Sequence, residues 1–218
     1  MNKAETMKRI LATGIVPVVR APSAEDAVRV VEAILAGGID IIELTMTVPG
    51  APEVIEQLVK RFGRDVVVGA GTVLDREAAK TCLRAGAAFI VSPIVDEPTI
   101  EHCRSEGIPV MPGALTPTEV VRAWKAGADL VKVFPCSALG GASYIRALKA
   151  PLPQIDLIPT GGVSLKTAPE FIQAGASALG AGADLVDIGA IREGRASAVS
   201  EKARQYAEVI QQARAALR

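Results

Sequence analysis

AGADLVKVF, residues 126–134, holds the pattern on which the fold turns. A helical stretch ends at a glycine, a short run of β-branched and apolar residues follows, and a proline closes it. Glycine at a helix end supplies the left-handed cap that other residues resist. Three further stretches look like copies: AGGIDIIEL (36–44), AGAAFIVSP (85–93) and AGASALGAG (174–182). Their glycines, Gly37, Gly86, Gly127 and Gly175, fall 49, 41 and 48 residues apart. Between them lie four more strand starts, TGIVPVVR, FGRDVVVGAG, EGIPVMPGAL and PQIDLIPTGG.

Strands are therefore expected near 14–20, 39–46, 65–72, 89–94, 109–115, 130–135, 157–162 and 177–182. Helices are expected near 23–36, 50–61, 75–85, 97–105, 117–126, 142–149, 166–174 and 198–217. Helix starts are marked by Ser, Thr or Pro ahead of a carboxylate in APSAEDA, VPGAPEV, TPTEVV and SLKTAPE. Eight parallel strands alternating with helices predict an α/β chain forming one (β/α)8 TIM barrel domain over residues 1–218. An open doubly wound sheet is the rival. It would call for a Gly-x-Gly-x-x-Gly turn at the first crossover, which is not there.

Composition sets the outer bounds. The chain has 218 residues, half of them hydrophobic, enough for one full-sized core. Aromatics make up 3%, so that core is built from Val, Ile, Leu and Ala. Formal net charge is zero with one histidine, which gives no pull toward nucleic acid or an anionic membrane. The first twenty residues lack the pattern of a signal peptide, and no uncharged run is long enough to span a membrane. Cys82, Cys103 and Cys136 are odd in number and far apart. They read as reduced thiols and suggest the cytoplasm.

Lys132 stands out inside its strand. An ammonium among apolar residues is costly unless it is paired or neutralised. Strand alternation puts Leu130, Lys132 and Phe134 on one face and Val131 and Val133 on the other. The valines suit packing on helices, so Lys132 points into the barrel. The same alternation sends Ile41, Glu43 and Thr45 inward, follows Val16 and Val18 with Arg20, and groups Thr72 with Val66 and Val68. Arg20, Glu43, Thr72 and Lys132 are thus expected in one cavity at the carboxyl ends of the strands, where such barrels do their chemistry.

A desolvated lysine amine attacks ketones, and the iminium it forms is an electron sink. Such an iminium acidifies the adjacent carbon and lets a carbon–carbon bond break. Glu43 is the candidate acid/base. Gly161, Gly162, Gly180 and Gly182 cluster at the ends of the last two strands, where barrels commonly cradle phosphate on backbone amides. Metal chemistry is poorly supplied: His102 sits beside Cys103 on an expected helix, and neighbouring helix positions do not share a face.

GIVPVVRA, IELTMTVPGAPEVI, VGAGTVLD, FIVSP, MPGALTPTE, GADLVKVFP and PTGGVSL together resemble the successive motifs of the 2-keto-3-deoxy-6-phosphogluconate aldolase family, which includes 4-hydroxy-2-oxoglutarate aldolases. The resemblance runs from about residue 8 to 190. It implies a class I aldolase on a (β/α)8 barrel, usually a homotrimer, with no metal or other cofactor. Its substrate is a phosphorylated keto-deoxy sugar acid, cleaved to pyruvate and glyceraldehyde 3-phosphate. Lys132 would form the Schiff base and Glu43 would shuttle protons. Thr72 would hold the pyruvate carboxylate, Pro93 and Phe134 would wall the pyruvyl group, and the Gly161–Gly162 turn would bind phosphate.

Two positions depart from the family pattern. Thr47, itself a candidate substrate-binding residue, stands where some members carry an arginine on the pyruvate carboxylate, which makes Arg20 the expected partner of that anion. Near the phosphate, Gly182 is followed by Ala183 and Asp184, and an inward carboxylate there would weaken phosphate binding. Three other readings stay open. Lys132 and Glu43 could be a purely structural ion pair. The chain could be a phosphate-binding isomerase or epimerase with Glu43 as base and Lys132 as electrostatic stabiliser. It could also be a non-catalytic assembly subunit, natural or engineered, with the last helix as its interaction face.

Overall fold

The expected strand runs all form, and every pair between them is parallel. The computed structural model describes residues 1–217. β1 (Ile15–Val19), β2 (Ile41–Thr45), β3 (Val67–Gly71), β4 (Ile90–Val91), β5 (Val110–Met111) and β9 (Leu179–Ala181) make a six-stranded sheet ordered β5-β4-β3-β2-β1-β9. β6 (Gly113–Ala114), β7 (Val131–Val133) and β8 (Leu157–Pro159) make a second, ordered β6-β7-β8. The two sheets close on each other. β5 and β6 are one barrel strand interrupted at Pro112, which has no N–H to give the ladder. A bridge between Thr160 and Gly180 joins β8 to β9. The result is the eight-position barrel the alternating pattern predicts.

Helices α2 (Ala24–Ala36), α3 (Ala51–Phe62), α4 (Arg76–Arg84), α5 (Glu97–Ser105), α6 (Pro117–Ala126), α7 (Ala142–Lys149) and α8 (Ala168–Gln173) return the chain between strands. Of the four marked starts, Ser23 and Thr116 each accept a hydrogen bond from a backbone N–H of the first turn, whereas α3 and α8 begin with a proline in the first turn and no side-chain cap. Asp75 and Asp96, not marked in the sequence, cap α4 and α5 in the same way as Ser23. Two further helices were not expected from the sequence. α9 (Ile188–Arg192) is a short turn after β9. α1 (Lys3–Thr13) has a capping box between Asn2 and Glu5; that Asn-x-x-Glu spacing is visible in the sequence.

α1 explains how the barrel floor is sealed. Ile10 is buried, and Met7 and Leu11 pack with it on the interior cluster of Val16, Ile41, Val67, Phe89, Met111 and Leu130. Ile42, Leu44, Val66, Val68, Val131 and Val133 belong instead to the layer between barrel and helices. Alternation is therefore obeyed on β2 and β7. It contradicts the expectation for Thr72: Val66 and Val68 face outward, and Val67 faces in. β3 ends at Gly71, and Thr72 takes a left-handed φ of 59°, so strand parity does not set its direction.

The last helix, α10 (Ala196–Ala215), buries Val199, Ala203, Tyr206, Ile210 and Ala213. It packs on α2, α8 and α9. The apolar face offered as an interaction surface is used in closing the barrel.

Candidate active site

β7 is three residues long and carries Lys132 at its centre. The Lys132 N–H donates to the Pro112 carbonyl at 2.9 Å, and the strand is in register with Gly113 on one side and Ile158 on the other. The side chain is buried in the barrel mouth. Its Nζ lies 3.5 Å from Glu43 Oε1 and 5.4 Å from the centre of the Phe134 ring. The ring face attracts an ammonium and gives the amine a fixed apolar wall. The distance to Glu43 exceeds the 2.7–2.9 Å of a charge-assisted hydrogen bond. Glu43 Oε1 has no hydrogen-bond partner among the described residues. An amine and a free carboxylate oxygen thus face each other inside an apolar barrel, placed to exchange protons with a molecule bound on the lysine.

Glu43 fits because β3 has no side chain beside it. A Cβ on Gly71 would lie 2.1 Å from Glu43 Oε1, and one on Gly69 would meet the Phe89 ring at 2.3 Å. The sequence reading passed over Gly71; its only signal was the GAG run, which pairs with ELT (43–45) on β2. Gly113 has a similar role. A Cβ there would strike the Pro93 backbone at 2.3 Å, so this glycine lets the Pro93 turn close over the barrel strand.

Thr45 and Thr47 form a short chain. The Thr45 hydroxyl donates to the Val19 carbonyl at 3.0 Å, and its oxygen lies 2.6 Å from that of Thr47. A hydroxyl has one proton. With that of Thr45 given to Val19, the Thr47 hydroxyl is the donor between the two threonines. It keeps only lone pairs for a ligand. In this arrangement Thr47 has no hydroxyl proton left for the substrate carboxylate, which needs a donor. Thr72, by contrast, has both its N–H and its hydroxyl without a protein acceptor among the described residues. Its left-handed backbone is uncommon for a β-branched residue and costs about 1–2 kcal/mol.

At the ends of β8 and β9 a cavity of about 230 Å³ is lined by Arg20, Phe134, Gly161, Gly162, Gly182 and Ala183, with Val18, Thr160, Val163 and Asp184 completing the wall. Gly161 and Gly162 have φ of 95° and 78°, left-handed values that favour glycine and bend the chain sharply along the cavity wall. The N–H groups of Gly162, Val163, Ala183 and Asp184 donate to no protein acceptor among the described residues. Arg20 is exposed at the cavity wall. Free amides and a guanidinium on one concave surface make an anion site. Arg20 was expected on the pyruvate carboxylate; the structure sets it in the cavity of the glycine turns.

The sequence brings the carboxylate of Asp184 close to this anion, where an inward direction would weaken phosphate binding. The carboxylate is turned away instead, accepting a hydrogen bond from the Tyr206 hydroxyl at 2.6 Å. Thr160, also missed in the sequence, has its hydroxyl where a Cβ on Gly180 would sit, at 2.1 Å. His102 lies on α5. Among the described residues no three His, Cys, Asp or Glu side chains converge on a metal-binding arrangement, and no helix is long and apolar enough to cross a membrane.

Comparison with known proteins places this geometry. A model of the family described as KDPG and KHG aldolase matches residues 6–202. A 2-dehydro-3-deoxy-phosphogluconate aldolase of Treponema pallidum is 38% identical over 158 residues, 72% of this chain and 75% of the relative. A 2-dehydro-3-deoxy-6-phosphogalactonate aldolase of Escherichia coli is 33% identical over 198 residues, 90% and 96% of the two chains. The crystal structure of KDPG aldolase from Legionella pneumophila, with pyruvate captured as a covalent carbinolamine intermediate, superposes with a TM-score of 0.84 at 30% identity, covering 91% and 96%.

Proposed function

From a chain that belongs to the KDPG and KHG aldolase family, we propose a class I aldolase that cleaves 2-keto-3-deoxy-6-phosphogluconate to pyruvate and glyceraldehyde 3-phosphate on Lys132. The carrying observation is the buried Lys132 amine facing the unpartnered Glu43 oxygen at 3.5 Å. The amine adds to the substrate C2 carbonyl, and the carbinolamine loses water to an iminium. Glu43 accepts the proton of the C4 hydroxyl. The C3–C4 bond then breaks, with its electrons moving onto nitrogen as an enamine, and the aldehyde leaves. Glu43 returns a proton to C3, and water releases pyruvate from Lys132.

The rest of the site orients this sequence. Thr72 gives its free N–H and hydroxyl to the pyruvyl carboxylate, and Pro93 and Phe134 wall the pyruvyl group. Arg20 and the amides of the 161–163 and 183–184 turns hold the distal anion. Those contacts suit a phosphate, and they also suit the terminal carboxylate of 4-hydroxy-2-oxoglutarate. The working form in this reading is a homotrimer in the cytoplasm. Exposed Leu74 and Ile94 on neighbouring loops are surface for a partner copy to cover, and three free thiols suit a reducing compartment.

The test is a pyruvate-release assay across 2-keto-3-deoxy-6-phosphogluconate, its galacto epimer and 4-hydroxy-2-oxoglutarate. Pyruvate from at least one, insensitive to chelators, supports the reading. Pyruvate from none contradicts it.

A further inference from the structure

Tyr206 stands outside the reaction, on the far side of the barrel wall, yet its hydroxyl lies at the seam of the two anion-binding turns. The ring is fully buried on α10. The hydroxyl donates to Asp184 Oδ2 at 2.6 Å and lies 3.4 Å from the Val163 carbonyl. One turn earlier on the same helix face, Lys202 Nζ donates to the Asp184 carbonyl at 2.8 Å and sits 3.8 Å from its carboxylate. Burial and the hydrogen bond to Asp184 hold the Tyr206 phenol well above the usual tyrosine range, so it stays a donor.

This arrangement resolves a conflict inside one residue. Asp184 lines the anion cavity with an N–H that has no protein acceptor among the described residues, whereas its carboxylate, if free, would repel a phosphate group carrying about −1.5 to −2 charges. Tied to Tyr206 and Lys202, the carboxylate is held behind the turn and the amide is left in front. We propose that Tyr206, assisted by Lys202, is a positioning residue that sets the preference for phosphorylated substrates by holding the Asp184 carboxylate off the anion site. The proposal rests on the aldolase reading for its substrates. Its physical core, affinity for a phosphate anion, can be measured without turnover.

The experiment compares wild type, Tyr206→Phe, Asp184→Asn and the double variant. The readouts are KM for 2-keto-3-deoxy-6-phosphogluconate relative to 4-hydroxy-2-oxoglutarate, and calorimetric affinity for inorganic phosphate. Tyr206→Phe should raise the KM ratio and weaken phosphate binding, each roughly tenfold, about 1.4 kcal/mol. Adding Asp184→Asn should return both toward wild type, because the released side chain then has no charge. Were Tyr206→Phe to fail to fold, Lys202→Gln, at a half-buried position, carries the same comparison with the same expected direction. An unchanged ratio, an equal change for both substrates, or no rescue by Asp184→Asn would overturn the assignment. Wild type unable to form pyruvate from any substrate, with phosphate affinity still following the cycle, would remove the aldolase reading and leave the positioning role.

Discussion

Lys132 Nζ stands 3.5 Å from Glu43 Oε1, with the two side chains 4% and 2% exposed. A pair this enclosed, held by a direct hydrogen bond, would be a structural tie. Here the separation is longer, and the glutamate oxygen has no other partner. Glu43→Gln keeps the shape and removes the basicity. General acid–base catalysis contributes about 10²–10⁴-fold, so turnover should fall by that order. Exchange of pyruvate methyl protons with deuterated water should fall with it. Near-native exchange in the variant would reassign the proton shuttle.

Gly71→Ala tests the same carboxylate from the neighbouring strand. The added Cβ would lie 2.1 Å from Glu43 Oε1, so the carboxylate must move. A displacement of about 1 Å at a reacting group can cost about a hundredfold in rate. The expected outcome is a kcat loss of that order with Lys132 still able to label with pyruvate. A fully active variant would show that Glu43 placement is not critical.

Arg20→Ala separates the two anion sites. Loss of a charged hydrogen bond of roughly 1.5–3 kcal/mol corresponds to about ten- to a hundredfold. Because Arg20 shares its cavity with the glycine turns, the loss in kcat/KM should fall most heavily on phosphorylated substrates. A uniform loss that includes pyruvate trapping would return Arg20 to the pyruvyl carboxylate. Thr47→Val should change pyruvate affinity little, since its hydroxyl proton is already given to Thr45.

Burial pushes the Cys82 and Cys136 thiols up to about 11 and the Cys103 thiol up to about 12. None should react with a thiol reagent in the folded protein, and all three should react after unfolding. The sign for stability follows from linkage. These thiols stay protonated in the folded chain while the unfolded chain ionises from about pH 8.5. Their contribution is fully present below that pH and is lost as pH rises toward 11–12. The urea midpoint should therefore fall between pH 8 and pH 10.5; an unchanged midpoint together with fast native-state labelling would mean the thiols are not enclosed.

The barrel was legible because its signals are periodic. Glycine-capped helices and β-branched runs recur at near-constant spacing, and alternation alone directs Lys132 and Glu43 inward. α1 escaped because its apolar face is short, although Asn2 and Glu5 marked its start. Thr72 escaped because a left-handed residue breaks the alternation that was used to orient it. The direction of Asp184 was beyond sequence reasoning. Its partners Tyr206 and Lys202 lie on a helix some twenty residues further along the chain, and only tertiary packing brings them to the turn.

The central claim, covalent chemistry at Lys132, is tested most directly by reducing the protein with borohydride in the presence of pyruvate and mapping the product by mass spectrometry. The account predicts one pyruvyl-derived adduct per chain, on the peptide containing Lys132, absent without pyruvate and absent in Lys132→Ala. No adduct on folded wild type, or an adduct on another lysine, would contradict it, and absence of any adduct would favour a barrel in which Lys132 acts only through its charge.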